Sequence, residues 1–285
     1  MKLKIKSIKL ILYRFIFWIK TFRILKGITF YTYINMFLSL IIDILNYTFS
    51  ERQDINPKLF LKKSCVFREK ETGLVIVVRG ATDDFFHALP GREGDVEEFI
   101  IRSLKDGDVF VDVGANIGYY SIRASRIVGE RGRVYAFEPI PSTTLILKVN
   151  LKLNQCSNVV VYEKAAWSED IFYAGRRSLT LRFPAGEYGL ASAYGSSDHE
   201  VEVEAITLDE ALKNVDHIDL LKIDVEGAEL NVLKGSSKIL FKTKKIVIEI
   251  SRNHEEILRL LKQYGFQCRK AKLAAYYICE KTENA

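Results

Sequence analysis

From residue 109 onward the apolar positions fall into short continuous runs, separated by segments of helical period. Val109–Val113, Arg133–Phe137, 159–163, Ile218–Ile223 and 245–250 read as buried strands. Tyr119–Val128, 142–153, 228–233 and 255–263 read as helices. "HEVEVEAITLDEAL" gives an alternating strand and then a helix whose Thr207-x-x-Glu210 fits a capping box. Residues 266–268 and 276–279 read as a closing hairpin, and 167–197 as a polar, structureless insertion. Alternating strands and helices with unbroken apolar strands predict an α/β fold, a mostly parallel sheet covered on both faces. Ligands of such sheets bind at the carboxyl ends of the strands.

The upstream part has another rhythm. Ile8, Ile11, Leu12, Phe15, Ile16, Ile19 and Phe22 recur at helical spacing, with Lys2, Lys6, Lys9 and Lys20 mostly off that stripe. Gly27 separates this helix from a second over about 28–47. Pro57 marks a boundary, "CVFREKETGLVIVVRG" reads as a hairpin turning at Glu71-Thr72-Gly73, and "GDVEEFIIRSL" as a lead-in helix. The expected organisation is an appendage over 1–56, a hairpin and lead-in helix over 57–108, and the main domain over 109–281.

Charge divides along the same line. Residues 1–70 carry 14 Lys/Arg against 4 Asp/Glu, net +10, and the remainder 28 against 32. A mildly acidic main domain argues against a nucleic-acid groove. The basic, apolar N-terminal segment lacks a cleavage-site pattern, so it does not read as a signal peptide. Its longest charge-free run, 27–42, is shorter than the roughly 20 apolar residues a membrane span needs. Spanning, peripheral contact with a membrane surface through residues 1–50, and packing on the domain or a partner remain open. The four cysteines form no CxxC pair, which speaks against a metal cluster. Cys268 and Cys279 sit where a hairpin would bring them together, but free buried thiols are the commoner state in the cytoplasmic enzyme expected here.

The stretch "VFVDVGANIGYYS" carries the first candidate chemistry. Asp112, Gly114, Asn116 and Gly118 lie where strand meets helix. Glycines allow a tight turn and close ligand approach, and the helix N-terminus offers unpaired N–H groups. "VYAFEP" then ends in Glu138, where an acid accepts hydrogen bonds from ribose hydroxyls. The pair favours an adenosine-type ligand. The third glycine of a dinucleotide turn is missing, and Asp112 would repel a pyrophosphate but suit the ammonium of a methionyl group. S-adenosyl-L-methionine is therefore expected over a nicotinamide cofactor. Ala165 and Ala166, in "EKAAWSED", are small enough to admit an adenine ring.

"DVFVDVGANIGYYS", "VYAFEP", "VVVYEKAAWSED", "AITLDEAL" and "LLKIDVEGAELNVLKG" together resemble the FkbM-type S-adenosylmethionine-dependent methyltransferases, over about 97–280. "KIDVEGAE" is the most specific of these marks. The resemblance implies a class I methyltransferase-like Rossmann sheet of seven strands with the last antiparallel, and methyl transfer, commonly to a hydroxyl oxygen.

In "LLKIDVEGAEL", Lys222, Asp224 and Glu226 are spaced by two, so a continuing strand would put them on one side of its carboxyl end. Charges in a central apolar strand are costly unless paired or functional. Asp224 is the candidate base or orienting acceptor, and Lys222 its partner or the stabiliser of a developing alkoxide. Glu226 is catalytic or a helix N-terminal acid. Glu249 points to the same rim, to hold substrate hydroxyls or to join Asp224 and Glu226 around a divalent cation, although no metal is expected. His254 is a second base candidate, and the insertion bearing Arg176, Arg177, Tyr188, Tyr194 and His199 a candidate substrate lid. Trp167 reads as a ring-stacking residue or as core. The expected function is methylation of a hydroxyl on a sugar, glycan, lipid-linked or small-molecule acceptor. The alternatives are a nicotinamide-dependent oxidoreductase and a non-catalytic membrane-attached scaffold.

Overall fold

A computed structural model describes residues 8–49, 61–173, 175, 177–197, 199–272 and 275–282. Pro57 and Arg176 lie outside the described residues. The chain divides into two compact units, Met1–Pro90 and Gly91–Ala285. The hairpin thus belongs with the N-terminal helices and the lead-in helix with the main domain, a division differing from that expected at 56 and 108. The reason is sheet pairing, which ties the hairpin backward along the chain.

In the first unit α1 (Ile8–Ile24) runs into β1 (Leu25–Gly27), and α2 (Phe30–Phe49) follows. β2 (Cys65–Glu69) pairs antiparallel with β1 on one side and with β3 (Val75–Val78) on the other. A Cβ on Gly27, the last residue of β1, would meet the Thr32 side chain at 2.9 Å. Trp18 packs on Phe85 of the short helix α3 (Asp84–His87), and Phe85 on Phe67. The stripe read from α1 does not face this core: Leu12, Phe15, Ile16 and Ile19 are exposed, while Arg14, Trp18 and Thr21 are buried.

The second unit opens with α4 (Asp95–Ser103). A seven-stranded sheet follows, built from β4 (Val109–Val113), β5 (Arg133–Phe137), β6 (Val159–Tyr162), β10 (Ile218–Ile223), β11 (Thr243–Glu249), β12 (Phe266–Lys270) and β13 (Tyr276–Lys281). Its order is β12-β13-β11-β10-β4-β5-β6, with β13 antiparallel to its neighbours, as the resemblance implies. The connecting helices α5 (Tyr119–Val128), α6 (Pro141–Leu153), α9 (Glu229–Lys234), α10 (Ser237–Lys242) and α11 (His254–Gln263) fall close to the expected positions. β10 is buried at all six positions, as expected of a strand covered on both faces. Strand order reverses between β4 and β10, which opens the crevice where such sheets bind ligands.

Two features differ from the sequence reading. The insertion is not structureless. After β7 (Ala165–Ala166) and α7 (Asp170–Tyr173) it forms β8 (Ser178–Phe183), which pairs antiparallel with β9 (His199–Ile206), while β9 pairs parallel with β7. Thr207 then caps α8 (Leu208–Ala211) by accepting from Glu210 N at 3.0 Å. Secondly, Cys268 and Cys279 are opposite in register and joined in a disulfide, leaving Cys65 and Cys156 as free thiols. No helix among the described residues is long and apolar enough to cross a membrane.

Candidate functional site

The turn after β4 and the loop after β10 touch at the sheet's carboxyl end. Asp224 N donates to Val113 O at 3.0 Å. Gly114 has φ +80°, and a Cβ on it would lie 1.8 Å from Asp224 O. Gly118 has φ +94°, and its Cβ would meet Leu147 Cδ1 at 2.5 Å. Both glycines are thus demanded by the chain's own packing at the tight turn.

Glu138, just past β5, lies beside this turn. Its Oε2 accepts from Asn116 N at 2.9 Å and its Oε1 from Ile140 N at 3.0 Å, so both oxygens are oriented by backbone. An acid at this position can accept from a ribose hydroxyl. Asn116, at φ +49°, holds a buried Oδ1 with no hydrogen-bond partner. A buried acceptor left unpaired is costly unless a ligand donor completes it. These two residues fit S-adenosylmethionine: Glu138 for the ribose, and Asn116 for a polar hydrogen of the nucleoside or methionyl part.

Asp112 lies at the end of β4, under the turn. It is fully buried beneath the turn, where Oδ2 accepts from Ser121 Oγ at 2.7 Å and Oδ1 lies 3.4 Å from Lys222 Nζ. β4–β10 register sets Asp112 directly opposite Lys222. Burial raises its carboxyl above the ordinary value, with Lys222 and Ser121 opposing. Asp112 thus holds the turn and Lys222 from below. Ala166 packs in the main core and Ala165 in a cluster with Ile140, Leu181 and Val203.

Lys222 is 2% exposed, with Nζ 3.4 Å from Asp112 Oδ1, Asp224 Oδ2 and Gly114 O. Burial alone would lower its pKa, but Asp224, Asp112 and Glu93 together raise it, so the ammonium stays charged. β10 ends at Ile223, so the expected continuation of the strand to Glu226 does not occur. Instead Glu226 (φ +50°) and Gly227 (φ +100°) turn the chain. That turn and the end of β11 bring one carboxylate oxygen each from Asp224, Glu226 and Glu249 within 4.8 Å of one another. This spacing could hold a divalent cation through oxygen ligands.

Within the trio the protonation states diverge. Burial would raise Asp224, but Lys222, hydrogen bonds from Glu249 and Tyr276, and the Arg92 charge hold it well below the ordinary carboxylate value. Glu249 is pushed up to about 10 by burial, the Asp224 charge and the hydrogen bond they share. The Asp224 carboxyl is thus held low and the Glu249 carboxyl high, the two titrating as a pair. Sequence reasoning missed the surrounding groups. Tyr276 Oη donates to Asp224 Oδ2 at 2.7 Å and lies 3.2 Å from Glu93 Oε1. Tyr120 Oη donates to Glu93 Oε2, Arg92 pairs with Glu93, and the Lys222 ammonium sits 5.4 Å above the Tyr120 ring. Tyr120 lies within the "VFVDVGANIGYYS" turn motif, but nothing local marks Glu93 or Tyr276. His254 begins α11 exposed, edge-on to Tyr277.

The insertion meets the same loop. Ser192 Oγ donates to Glu226 O at 2.6 Å, Tyr194 Oη to Asn231 Oδ1 at 2.6 Å, and Arg252 lies 4.7 Å from the Tyr194 ring. Trp167 stacks on Tyr194 at 6.2 Å, and the two border an open groove of about 430 Å³ that also includes Ser178, Thr180 and Arg182.

The chain matches a family model described as the methyltransferase FkbM domain over residues 112–268. It is 27% identical over 188 residues to the hexuronic acid methyltransferase AglP of Haloferax volcanii, across 64% of this chain and 72% of that one. It is 27% identical over 199 residues to the 31-O-demethyl-FK506 methyltransferase FkbM of Streptomyces tacrolimicus, across 57% and 74%. A solved structure of methyltransferase FkbM from Methylobacillus flagellatus aligns with TM-score 0.41 and 17% identity, across 69% of this chain and 54% of that one. The family match spans more than half the chain and begins at the residue that anchors the ligand turn. It decides against the nicotinamide and scaffold alternatives: this chain belongs to the FkbM methyltransferase family and is an S-adenosylmethionine-dependent methyltransferase.

Proposed function

We propose that the chain transfers methyl to a hydroxyl oxygen of a sugar-type acceptor, with Asp224 as the residue that orients and deprotonates that hydroxyl. The observation that carries this reading is the geometry at the sheet rim: carboxylate oxygens of Asp224, Glu226 and Glu249 converge within 4.8 Å, Tyr276 donates to Asp224, and the Lys222 ammonium lies 3.4 Å from Asp224. Bound S-adenosylmethionine supplies an electrophilic methyl on a sulfonium, whose departure needs no acid from the protein. The protein's part is then to align the hydroxyl, exclude water and accept one proton.

Asp224 accepts the hydrogen bond of the acceptor hydroxyl and aims its oxygen lone pair. With the cofactor bound as methyl donor, the Asp224 carboxylate would accept the proton that the hydroxyl gives up on methylation. Lys222 limits negative charge at the rim, and Glu249 steadies Asp224 through their shared hydrogen bond. Glu226 is placed to bind a neighbouring hydroxyl of a polyol. Trp167 and Tyr194 offer aromatic faces on which a pyranose ring stacks, and AglP, a relative, is named for a hexuronic acid substrate.

The test is a mass-shift screen with isotopically labelled S-adenosylmethionine against uronic acids, neutral hexosides, lipid-linked glycans and non-sugar alcohols. A gain of one labelled methyl on a sugar hydroxyl is expected. Asp224→Asn is expected to lower turnover by about 10²- to 10⁴-fold while leaving cofactor affinity within a few fold. Turnover confined to non-sugar alcohols overturns the acceptor reading, and an undiminished Asp224→Asn enzyme overturns the assignment of Asp224.

A further inference from the structure

The N-terminal helices are amphipathic with the polarity reversed. In α2 the residues Phe30, Tyr31, Tyr33, Ile34, Phe37, Leu38, Ile41 and Leu45 are exposed, and Phe30 is 81% exposed. At 100° per residue they cover an arc of about 160°. The opposite, buried face carries Thr32, Asn35 and Ser39 beside Met36. In α1 the exposed side is again apolar, and buried Arg14 pairs with Asp43 of α2. Trp18 Nε1 donates to the same Asp43 at 2.9 Å. Arg14, Trp18 and Asp43 thus pair inside the helical pair while large apolar side chains point outward. That is opposite to a pair exposed to water, and a contiguous apolar face of this extent marks an interaction surface.

Charge identifies what the face meets. Asp43 is the one acidic residue between positions 8 and 49, and it is committed to Arg14 and Trp18. Lys20, Arg23 and Lys26 are exposed, and exposed Lys63 holds its ammonium 5.7 Å from the ring of exposed Tyr31. A second copy would oppose this face with the same excess of positive charge. An anionic lipid surface complements it, with aliphatic and phenyl groups entering the acyl boundary while tyrosines and cations stay at headgroup level. α1 and α2 do not meet the requirement for a span. We infer that α1 and α2 dock in the plane of an anionic phospholipid membrane through the face formed by Phe15, Ile19, Phe30, Phe37 and Ile41. This placement does not depend on which acceptor the enzyme methylates.

The experiment is flotation of the full-length protein with vesicles of phosphatidylcholine alone and with about one-third phosphatidylglycerol, at low and high salt. Binding to the anionic vesicles is expected, several-fold weaker on neutral ones and reduced but not abolished by salt. Phe37→Asp/Ile41→Asp alters only exposed positions. It should keep the native far-ultraviolet circular dichroism and S-adenosylmethionine affinity, and lose vesicle binding by about tenfold or more. Failure to float with anionic vesicles overturns the inference, as does equal binding by the double variant. A stable dimer that the same variant dissociates, with no vesicle binding, assigns the face to self-association instead.

Discussion

At the scale of single residues, Lys222 decides how the site holds together. A buried ammonium between two carboxylates compensates charges that the central strands could not otherwise carry. Lys222→Ala leaves Asp112 and Asp224 facing each other without it, and should cost about 3–5 kcal/mol in denaturant unfolding. Adding Asp112→Asn to Lys222→Ala should recover part of that loss, a non-additivity that a double-mutant cycle will read. The spacing of Lys222, Asp224 and Glu226 drew attention to the rim from sequence alone. It did not show that Asp112 is Lys222's second partner, because that contact depends on the parallel register of β4 and β10, 110 residues apart along the chain.

Elements set the acceptor side. The insertion contributes β8 to a small sheet with β9 and β7 and anchors its far end on the Glu226 turn. Trp167→Ala and Tyr194→Ala should raise KM for a sugar acceptor by about 10-fold, in keeping with the loss of one ring-stacking contact, while S-adenosylmethionine affinity stays unchanged. Steady-state kinetics with each substrate varied in turn separates the two. Among the elements, β4, β5 and β10 were legible to the residue, since a strand buried on both faces is a continuous apolar run. β8 was not, because five of its six residues are only partly buried and its pairing partner lies beyond a polar turn. The Thr207 cap was legible because donor and acceptor are three residues apart.

For the whole molecule, the Asp224–Glu249 pair makes stability depend on pH. Glu249 keeps its proton in the folded state up to about 10, whereas the unfolded chain releases it near the ordinary carboxylate value. The folded state therefore binds more protons across that window, and stability contributed at this site falls as pH rises through it. Asp224, held low, acts oppositely: its contribution is lost only as pH falls below the ordinary carboxylate value. Thermal unfolding between pH 5 and 9 should show the Tm of Glu249→Gln rising relative to the wild-type protein as pH increases. A constant difference across that range would mean that Glu249 is ionised in the folded state.

The sequence by itself determined the alternating strands and helices, the ligand turn, the acid after the second strand and the existence of two amphipathic N-terminal helices. Each is written in residues a few positions apart, where hydrophobic period, glycine and capping chemistry act. Tertiary structure decided which face of those helices is buried, since periodicity defines a stripe but not the side that meets the core. It joined Cys268 to Cys279 and set Asp112 between Ser121 and Lys222. It also brought Glu93 and Tyr276 to Asp224 from opposite ends of the domain. Such contacts follow from strand order and register, which couple residues far apart in the chain and leave no local mark on any of them.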